Sequence, residues 1–292
     1  MCARQEDKMI VSSNMMRVYK AFGVRGTFDA FERAGIEGMD FGNNVAEYCS
    51  TEHDETFYRE LSEYAASRGV KICQAHAPFP SSYADAEKNE KRFGEIVQSI
   101  KNASYLGAPM VVVHPCGHLG YTSEEDQELS FEYNLDFYRR LIPYARECGV
   151  KIAIENMDFP CVTATPEGLC RLFDALDDPI FTVCFDTGHS LIERVDPAEA
   201  IRVIGHRLVD GCTHFHDNFG DDDDHTLPFY GKIDWESVMK ALAEIGYEGD
   251  LNYEAANFIK NVPAELYVDA LTYMAKVGRY LIGRFEYYRS NK

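Results

Sequence analysis

The sequence lacks a long apolar run and any paired cysteine motif. No stretch approaches the roughly 20 apolar residues that a membrane-spanning helix needs. The N-terminal segment MCARQEDKMI is too charged to be a signal peptide. The nine cysteines stand singly without a Cys-x-x-Cys motif, which favours a reduced protein over a disulfide framework. We therefore expect a cytoplasmic protein with no membrane partner.

Basic residues are scarce, because 29 Lys and Arg stand against 48 Asp and Glu and give a formal net charge of −19. Affinity for phosphate backbones and for anionic membrane surfaces depends on Lys and Arg. The predicted loops after the second and third strands, at 42–55 and 78–87, contain no Lys or Arg. The charge balance therefore argues against a nucleic-acid partner.

Apolar residues are plentiful by contrast, since 46% of the chain is hydrophobic and 13% is aromatic. That content excludes a disordered chain. Short β-branched runs that end in polar residues are typical of buried strands. Eight such runs predict strands at 9–12, 36–41, 70–75, 110–113, 150–154, 181–185, 208–213 and 249–253.

Helical patterns alternate with these runs. Apolar residues recur at spacings of three and four over 88–106 and 131–148. Thr165-Pro166 and Asp196-Pro197 each place a capping residue before a proline, which predicts two helix starts. Gly246 follows an apolar helical pattern and predicts its end. This alternation of buried strands and amphipathic helices indicates parallel βα units.

The spacing of polar residues at the strand ends indicates the number of units. Five intervals separate His76 from Glu254 and average about 36 residues, so eight units need about 290 of the 292 residues. We therefore predict an α/β fold, a single (β/α)8 barrel spanning residues 1–292, rather than the two domains that length alone allows. In such barrels the active site lies at the C-terminal ends of the strands.

The last six predicted strands all end in a histidine or a carboxylate. Imidazole and carboxylate groups bind divalent transition ions such as Zn and Mn. A single such residue at a strand end is usually a hydrogen-bonded structural group. Six of them directed to one face of a barrel favour a metal site, and they are His76, His114, Glu155, Asp186, His214 and Glu254.

Three segments carry a resemblance to a known family. They are Phe-Asp-Thr-Gly-His at 185–189, His-Phe-His-Asp-Asn at 214–218, and Asp-Asp-His-Thr-Leu-Pro-Phe-Tyr-Gly-Lys-Ile-Asp-Trp at 223–235. In this order and spacing, the chain resembles the xylose isomerase-like TIM barrels over most of its length. That superfamily includes sugar isomerases and epimerases, inosose-processing enzymes, hydroxypyruvate isomerase and the endonuclease IV group.

The resemblance implies a metal site and a catalytic acid/base pair. Carried over by position, the metal ligands would be Glu155, Asp186, His214 and Glu254. In the isomerases and epimerases, the residues that match Glu155 and Glu254 bind the metal and also act as the paired acid and base. The residue that matches His189 contacts the substrate.

Positions around the mouth give further expectations. Trp235 is predicted to bind substrate, because an aromatic ring near the mouth can stack on a sugar. We expect His216 to point away from His214 and to lie outside the site. Epimerases of the family often carry an Arg shortly after the seventh-strand His, whereas residues 218–221 here are Asn-Phe-Gly-Asp. That difference argues against a ketohexose epimerase in particular.

A divalent ion at this site would support proton transfer beside a carbonyl. One ion (Mn, Mg, Co or Zn) would polarise a substrate carbonyl and its neighbouring hydroxyl and stabilise an enediolate. Two carboxylates on opposite faces would invert a centre, and one acting alone would move the carbonyl. The resemblance thus implies an isomerase or epimerase of an unphosphorylated sugar, polyol ketone or similar small carbohydrate. Relatives often form dimers or tetramers, so it is also compatible with a homo-oligomer.

A trinuclear zinc hydrolase like endonuclease IV is the main alternative. In that group, three zinc ions use further ligands, which match His76, His114, His189, Asp223 and His225 here. The early mouth loops without basic residues argue against DNA as a partner, because phosphates need cations. A non-catalytic sugar-binding barrel, which needs no metal, is a third hypothesis.

Overall fold

A ring of eight parallel strands forms the centre of the protein. A computed structural model describes residues 8–14, 16–42 and 53–291. The strands are β1 (Val11–Asn14), β2 (Gly38–Phe41), β3 (Lys71–His76), β4 (Met110–Val113), β5 (Lys151–Glu155), β6 (Phe181–Asp186), β7 (Cys212–His214) and β8 (Leu251–Tyr253). Pairing runs in sequence order from β1 to β7, and β8 pairs with β1. A bridge between Phe215 and Tyr253 brings β7 next to β8, so the ring is a nearly closed (β/α)8 barrel, as predicted.

Helices connect the strands and form the outer layer. Thr165 and Asp196 each accept a backbone N–H with their side chains at the two predicted helix starts. Gly246 ends a helix in the left-handed conformation, as its position predicted. The helices are α1 (Met16–Ala34), α2 (Glu55–Ser67), α3 (Ala86–Leu106), α4 (Glu124–Cys148), α5 (Pro166–Leu176), α6 (Thr187–Ile192), α7 (Pro197–Ile204), α8 (Trp235–Ile245) and α9 (Tyr267–Ser290).

All eight predicted strands are present, with shifts at their ends. β4 has the predicted bounds, whereas β1 begins two residues later than predicted. The largest shift is in β7, because residues 205–208 form a 3-10 helix and a turn follows. Strand pairing with β6 therefore begins only at Cys212.

Apolar side chains fill the space between the strands and the helices. A separate small cluster of Val112, Ala153, Cys184 and Cys212 comes from four neighbouring strands, β4 to β7. The seven cysteines among the described residues are free thiols. Of the described helices, none is both long enough and apolar enough to span a bilayer.

Candidate metal and substrate site

A cavity of about 490 Å³ opens where the C-terminal ends of the strands meet. Histidines and carboxylates dominate its lining, and the described lining residues include no Lys or Arg. Phe79, Met157 and Phe159 add apolar surface. The lining residues are Asn14, Gly42, His76, Phe79, His114, Glu155, Met157, Asp158, Phe159, His189, Asp223, His225 and Glu254.

Two glutamates and two histidines form the centre of the site. His214 Nδ1 lies 2.8 Å from Glu155 Oε1 and 2.9 Å from Glu254 Oε2. His114 Nε2 lies 2.9 Å from Oε2, the other carboxylate oxygen of Glu155. Glu155 ends β5, His214 ends β7 and Glu254 follows β8, so the ends of three strands bring these groups to one point.

A second group surrounds Asp186 at the end of β6. Its carboxylate accepts the backbone N–H of His189 at 2.7 Å and lies 2.9 Å from His216 Nε2. The loop after β7 adds Asp223 and His225, whose Oδ2 and Nε2 atoms are 2.6 Å apart. The rings of His216 and His225 stack with their centroids 4.2 Å apart. This group extends the set of potential metal ligands beyond the central one.

A fully buried carboxylate, Asp217, holds the loop that carries Asp223 and His225. It accepts four N–H groups at 2.8–3.1 Å, from the backbones of Asn218, Phe229 and Ile233 and from the indole of Trp235. These donors satisfy both carboxylate oxygens without a cation. Side-chain hydrogen bonds thus position a loop that contains little regular structure.

Asp40 in β2 lies in the same region and was not identified from the sequence. Its side chain is fully buried, and Oδ1 lies 2.9 Å from Nδ1 of His76. Oδ2 accepts hydrogen bonds from the side-chain amides of Gln74 and Asn252 at 3.2 and 3.3 Å. Gln74 also contacts Nε2 of His214 at 2.9 Å. Asp40 therefore lies behind the histidines and does not line the cavity.

Several buried polar atoms of the site have no hydrogen-bond partner among the described residues. They include Nε2 of His76, Nδ1 of His114 and Nδ1 of His216. Buried polar groups without a partner are costly, so a cluster of them points to a ligand that the chain does not itself supply. Imidazole nitrogens and carboxylate oxygens together suit a divalent transition ion.

The orientations of two rings also fit metal binding. Nδ1 of His189 lies 2.8 Å from the carbonyl oxygen of Asn156, and Nδ1 of His225 lies 2.7 Å from that of Glu254. A carbonyl only accepts, so both rings donate from Nδ1, as metal-binding histidines do with the nitrogen that is not bound to the metal. Nε2 of each ring faces Asp223 Oδ2, at 3.9 Å for His189 and 2.6 Å for His225. Several sets have their ligand atoms within 4.8 Å of one another. They include His76, His114 and Glu155; Asp186, His189 and His216; His216, Asp223 and His225; and, behind the cavity, Asp40, His76 and His214.

The charges of the site raise the pKa values of His214 and His225 and lower that of Glu155. Burial disfavours the charged form of His214, but the carboxylates of Glu155 and Glu254 outweigh it and hold the pKa of His214 well above its usual range. Burial opposes ionisation of Glu155, but the charge of His214 holds its pKa well below the usual range. For His225, burial is outweighed by the hydrogen bond to Asp223, and the pKa rises to about 9.

The structure brings most of the predicted site residues to one end of the barrel. Trp235 differs, because it is buried against Phe215 and its N–H bonds to Asp217, so its ring is not part of the cavity lining. This placement does not provide the predicted contact with a substrate. The residues brought together are His76, His114, Glu155, Asp186, His189, His214, Asp223, His225 and Glu254.

The expectation that His216 points away from the site was wrong. His216 is fully buried, and its Nε2 faces Asp186 and, at 3.5 Å, Oδ1 of Asp223. Residues two apart in an extended chain have their side chains on the same side, so the alternation that turns His214 inward does the same for His216. The spacing of two residues between His214 and His216 therefore already indicated that both side chains face the site.

Two stretches considered in the sequence analysis lie wholly or largely outside the described residues. The loop predicted at 42–55 falls mostly on 43–52, and seven residues of the charged N-terminus precede residue 8. The loop predicted at 78–87 is described, and its Phe79 lines the cavity. This loop contains no Lys or Arg of its own, but Arg92 of α3 donates to the hydroxyl of its Tyr83 at 2.9 Å.

Comparisons with known proteins agree with this architecture. The profile of a family described as xylose isomerase-like TIM barrel matches residues 28–277. An uncharacterised protein, y4fM of Sinorhizobium fredii, is 30% identical over 260 residues, which cover 80% of this chain and 81% of that protein. D-psicose 3-epimerase of Ruminiclostridium cellulolyticum is 25% identical over 205 residues, or 67% of each chain. Inosose dehydratase of Lacticaseibacillus casei is 25% identical over 282 residues, covering 84% and 86%.

Solved structures show the same fold at lower identity. A D-tagatose 3-epimerase-like protein superposes with a TM-score of 0.71 at 23% identity and covers 93% of this chain and 99% of its own. The IOLI protein, described with a binding zinc atom, has a TM-score of 0.73 at 18% identity and covers 96% and 99%. Two of the curated relatives named above carry an activity in their names, a sugar epimerase and an inosose dehydratase.

Proposed function

Because the chain belongs to the xylose isomerase-like TIM barrel family, we propose that it is a divalent-metal-dependent isomerase or epimerase of a small carbohydrate. The substrate would be an unphosphorylated sugar, a polyol ketone or a similar metabolite. The observation that carries the proposal is the pair of glutamates at the centre of the site. Glu155 and Glu254 come from different strands, yet each has a carboxylate oxygen within 2.9 Å of Nδ1 of His214.

The metal would be held by the four residues that the family resemblance indicates, Glu155, Asp186, His214 and Glu254, which form the central set of proposed ligands. Asp186 belongs to it because Oδ2 lies 3.9 Å from Nδ1 of His214. When bound, the ion would supply the positive charge that polarises a substrate carbonyl and favours an enediolate. Mn, Mg, Co and Zn all accept mixed carboxylate and imidazole ligands. The zinc described for the IOLI protein supports a divalent ion in this fold.

Proton transfer would be carried out by the two glutamates. Burial raises the pKa of Glu254, but the charge of His214 outweighs it, and the pKa lies below its usual range. Both carboxylates are therefore ionised near neutral pH and able to accept a proton. Two carboxylates on different sides of a substrate can remove a proton from one face and return one to the other. One acting alone would move the carbonyl.

The cavity lining suits a neutral polyol. Phosphate groups are usually bound by Arg, Lys or helix N-termini, and the described lining contains neither Arg nor Lys. Asp158 and Asp223 add negative charge that would repel an anion. Phe79 and Phe159 present aromatic surface beside these polar groups, which fits the apolar and hydroxylated faces of a sugar ring.

Two measurements on the purified protein test this proposal. Elemental analysis should find a divalent metal, and a chelator should abolish activity that the added metal restores. In D2O, the metal-loaded protein should exchange the proton beside the carbonyl of at least one member of a panel of ketoses and inososes. A metal-loaded protein that exchanges no proton in any of these sugars would contradict an isomerase or epimerase of this class.

A trinuclear zinc hydrolase is the second candidate function. The observation that favours it is the gathering of five further potential ligands, His76, His114, His189, Asp223 and His225, around the central set. Three zinc ions per chain, with nicking of abasic DNA and no proton exchange, would establish it instead. A non-catalytic sugar-binding barrel would keep its affinity for sugar after metal removal and after Glu155→Gln with Glu254→Gln.

A further inference from the structure

The region behind the cavity contains a carboxylate that the proposed reaction does not use. Asp40 is fully buried, and its described hydrogen bonds are to His76, Gln74 and Asn252 rather than to Lys or Arg. A buried carboxylate is costly unless its oxygens are satisfied and its charge is balanced. The amides of Gln74 and Asn252 satisfy one oxygen. The other oxygen is satisfied by an imidazole that also lines the cavity.

The hydrogen bond to Asp40 determines what His76 can offer to the cavity. Oδ1 of Asp40 faces Nδ1 of His76 at 2.9 Å, and the pairing of a carboxylate oxygen with a ring nitrogen makes Nδ1 the donor. The opposite nitrogen, Nε2, is buried and has no partner among the described residues. One nitrogen of the His76 ring lies within 4.8 Å of ligand atoms of His114 and Glu155. The ring therefore presents a free nitrogen beside two other potential metal ligands.

We propose that Asp40 is a positioning residue of the metal site, which fixes the His76 ring so that Nε2 faces the cavity and strengthens binding of a divalent ion. This inference rests on the proposed function, since it needs a metal in the cavity. It adds His76, beside His114 and Glu155, to the residues that hold an ion there. Asp40 itself touches neither metal nor substrate. It acts through His76, in the way that carboxylates behind metal-binding histidines set ring orientation and basicity.

Asp40→Asn removes the carboxylate while keeping its size. The amide group would have to place its NH2 against His76 Nδ1–H or against the amides of Gln74 and Asn252, all of which are donors. With zinc alone as the probe, a competition assay against a chromogenic chelator should show binding about 10–100-fold weaker than in the wild type. Unchanged affinity in a folded Asp40→Asn protein would overturn the proposal.

Ser12→Ala is the matched control. Ser12 Oγ donates to Oδ1 of Asn252 at 2.8 Å, so this hydrogen bond lies in the same buried network, two hydrogen bonds beyond the contact of Asp40 with His76. Its removal should leave the dissociation constant for zinc unchanged. If Ser12→Ala weakens zinc binding as much as Asp40→Asn does, general damage to the buried network explains both results and the proposal fails.

A double-mutant cycle tests whether Asp40 affects zinc binding through His76. In a His76→Gln background, Asp40→Asn should weaken zinc binding little, because the ring that Asp40 positions is absent. Equal losses in both backgrounds would show that Asp40 acts by another route. A wild type that binds no zinc would overturn the proposed function along with this inference. A wild type that binds zinc unaffected by Asp40→Asn would overturn this inference alone.

A spectroscopic measurement keeps the proposal testable if the variants do not fold. In the metal-free wild-type protein, 15N NMR of His76 should show a proton on Nδ1 that is protected from exchange with solvent. The zinc complex should retain that proton while the resonance of Nε2 shifts. A His76 ring with Nδ1 unprotonated, or with Nε2 unaffected by zinc, would overturn the proposal.

Discussion

Glu254 is the glutamate of the central pair that is nearer to solvent, with a side chain 18% exposed against 1% for Glu155. Its carboxylate is the group through which protons would exchange with water. Glu254→Gln replaces it with an amide that cannot accept a proton. We expect proton exchange into the substrate in D2O to slow by about 10²–10⁴-fold. Glu248 is exposed in the loop before β8 and serves as the control. The Glu248→Gln protein should exchange the substrate proton at the wild-type rate. An equally slow exchange in that variant would contradict the role of Glu254 in proton transfer.

His225 makes metal binding depend on pH. Its pKa of about 9 means that the ring is protonated near neutral pH in the metal-free protein, so an ion that uses this ring must displace a proton. Apparent zinc affinity should therefore rise between pH 6.5 and 9, by up to about tenfold per pH unit from this group. Chelator competition at several pH values measures the slope, and His225→Gln should reduce it. An equal slope in the variant would exclude His225 as a ligand.

The sequence predicted which residues lie together at the strand ends, because their types and their positions in the strands gave the same answer. Six strands that end in His, Asp or Glu predicted a site, because parallel strands bring their ends to one face. Asp40 gave a weaker signal, a charged residue inside the short strand Gly-Met-Asp-Phe. Its role depends on which side chain of β3 faces it, and a sequence does not contain that distance. Trp235 shows the reverse error, since an aromatic ring near the mouth can belong to the core.

At the scale of secondary structure elements, the first turn of α6 packs directly against His216. A Cβ atom added to Gly188 would lie 1.9 Å from Cε1 of the His216 ring. Gly188→Ala should therefore lower the free energy of unfolding by about 1–3 kcal/mol, as overpacking does. Combining it with His216→Ala should restore part of that loss, and urea unfolding measures both.

Gly94→Ala is the matched control for that substitution. Gly94 is exposed within α3, and an added Cβ would meet nothing within 4 Å. Alanine should stabilise the helix there by about 0.5–1 kcal/mol. If Gly188→Ala is as well tolerated as Gly94→Ala, the contact between α6 and His216 is looser than the structure shows.

The loop between β7 and α8 depends on Asp217, which accepts four N–H groups. Asp217→Asn cannot accept all of them, and each unsatisfied buried donor costs about 1–3 kcal/mol. We expect a lower urea midpoint together with weaker zinc binding, because the same loop carries Asp223 and His225. Asp222→Asn, an exposed aspartate of that loop, should change neither quantity. A stable Asp217→Asn protein would show that other contacts hold the loop.

The order of elements was predictable because strands and helices have different apolar periods. The residues at which strands and helices begin and end were less predictable. The helical pattern began at 131, but α4 starts at Glu124 because Ser123 and Asp126 form a capping box. β7 is shorter than its apolar run because residues 205–208 form a 3-10 helix first. Capping hydrogen bonds, rather than the apolar pattern, decide where an element ends. A sequence usually contains several residues that could form such a cap, so the end is harder to predict than the element.

At the scale of the whole molecule, the net charge of −19 opposes binding to DNA. We expect a fluorescent abasic duplex to show no change in anisotropy with this protein at physiological salt, and little gain at low salt. A basic protein that neutralises several phosphates would bind much more tightly as salt falls. Salt-dependent binding of the duplex, above all with nicking, would favour the hydrolase over the sugar enzyme.

The barrel closes by pairing β1 with β8, through contacts such as Val11 with Leu251, which are 240 positions apart in the chain. The central ligands follow from that closure, because Glu254 comes just after β8 while Glu155 stands near the middle of the chain. During synthesis, the ribosome must therefore release the chain beyond Glu254 before the proposed four-ligand set can assemble. Translation products that stop before β8 would lack Glu254 and could not complete that set, so we expect tight ion binding only in chains that extend past β8.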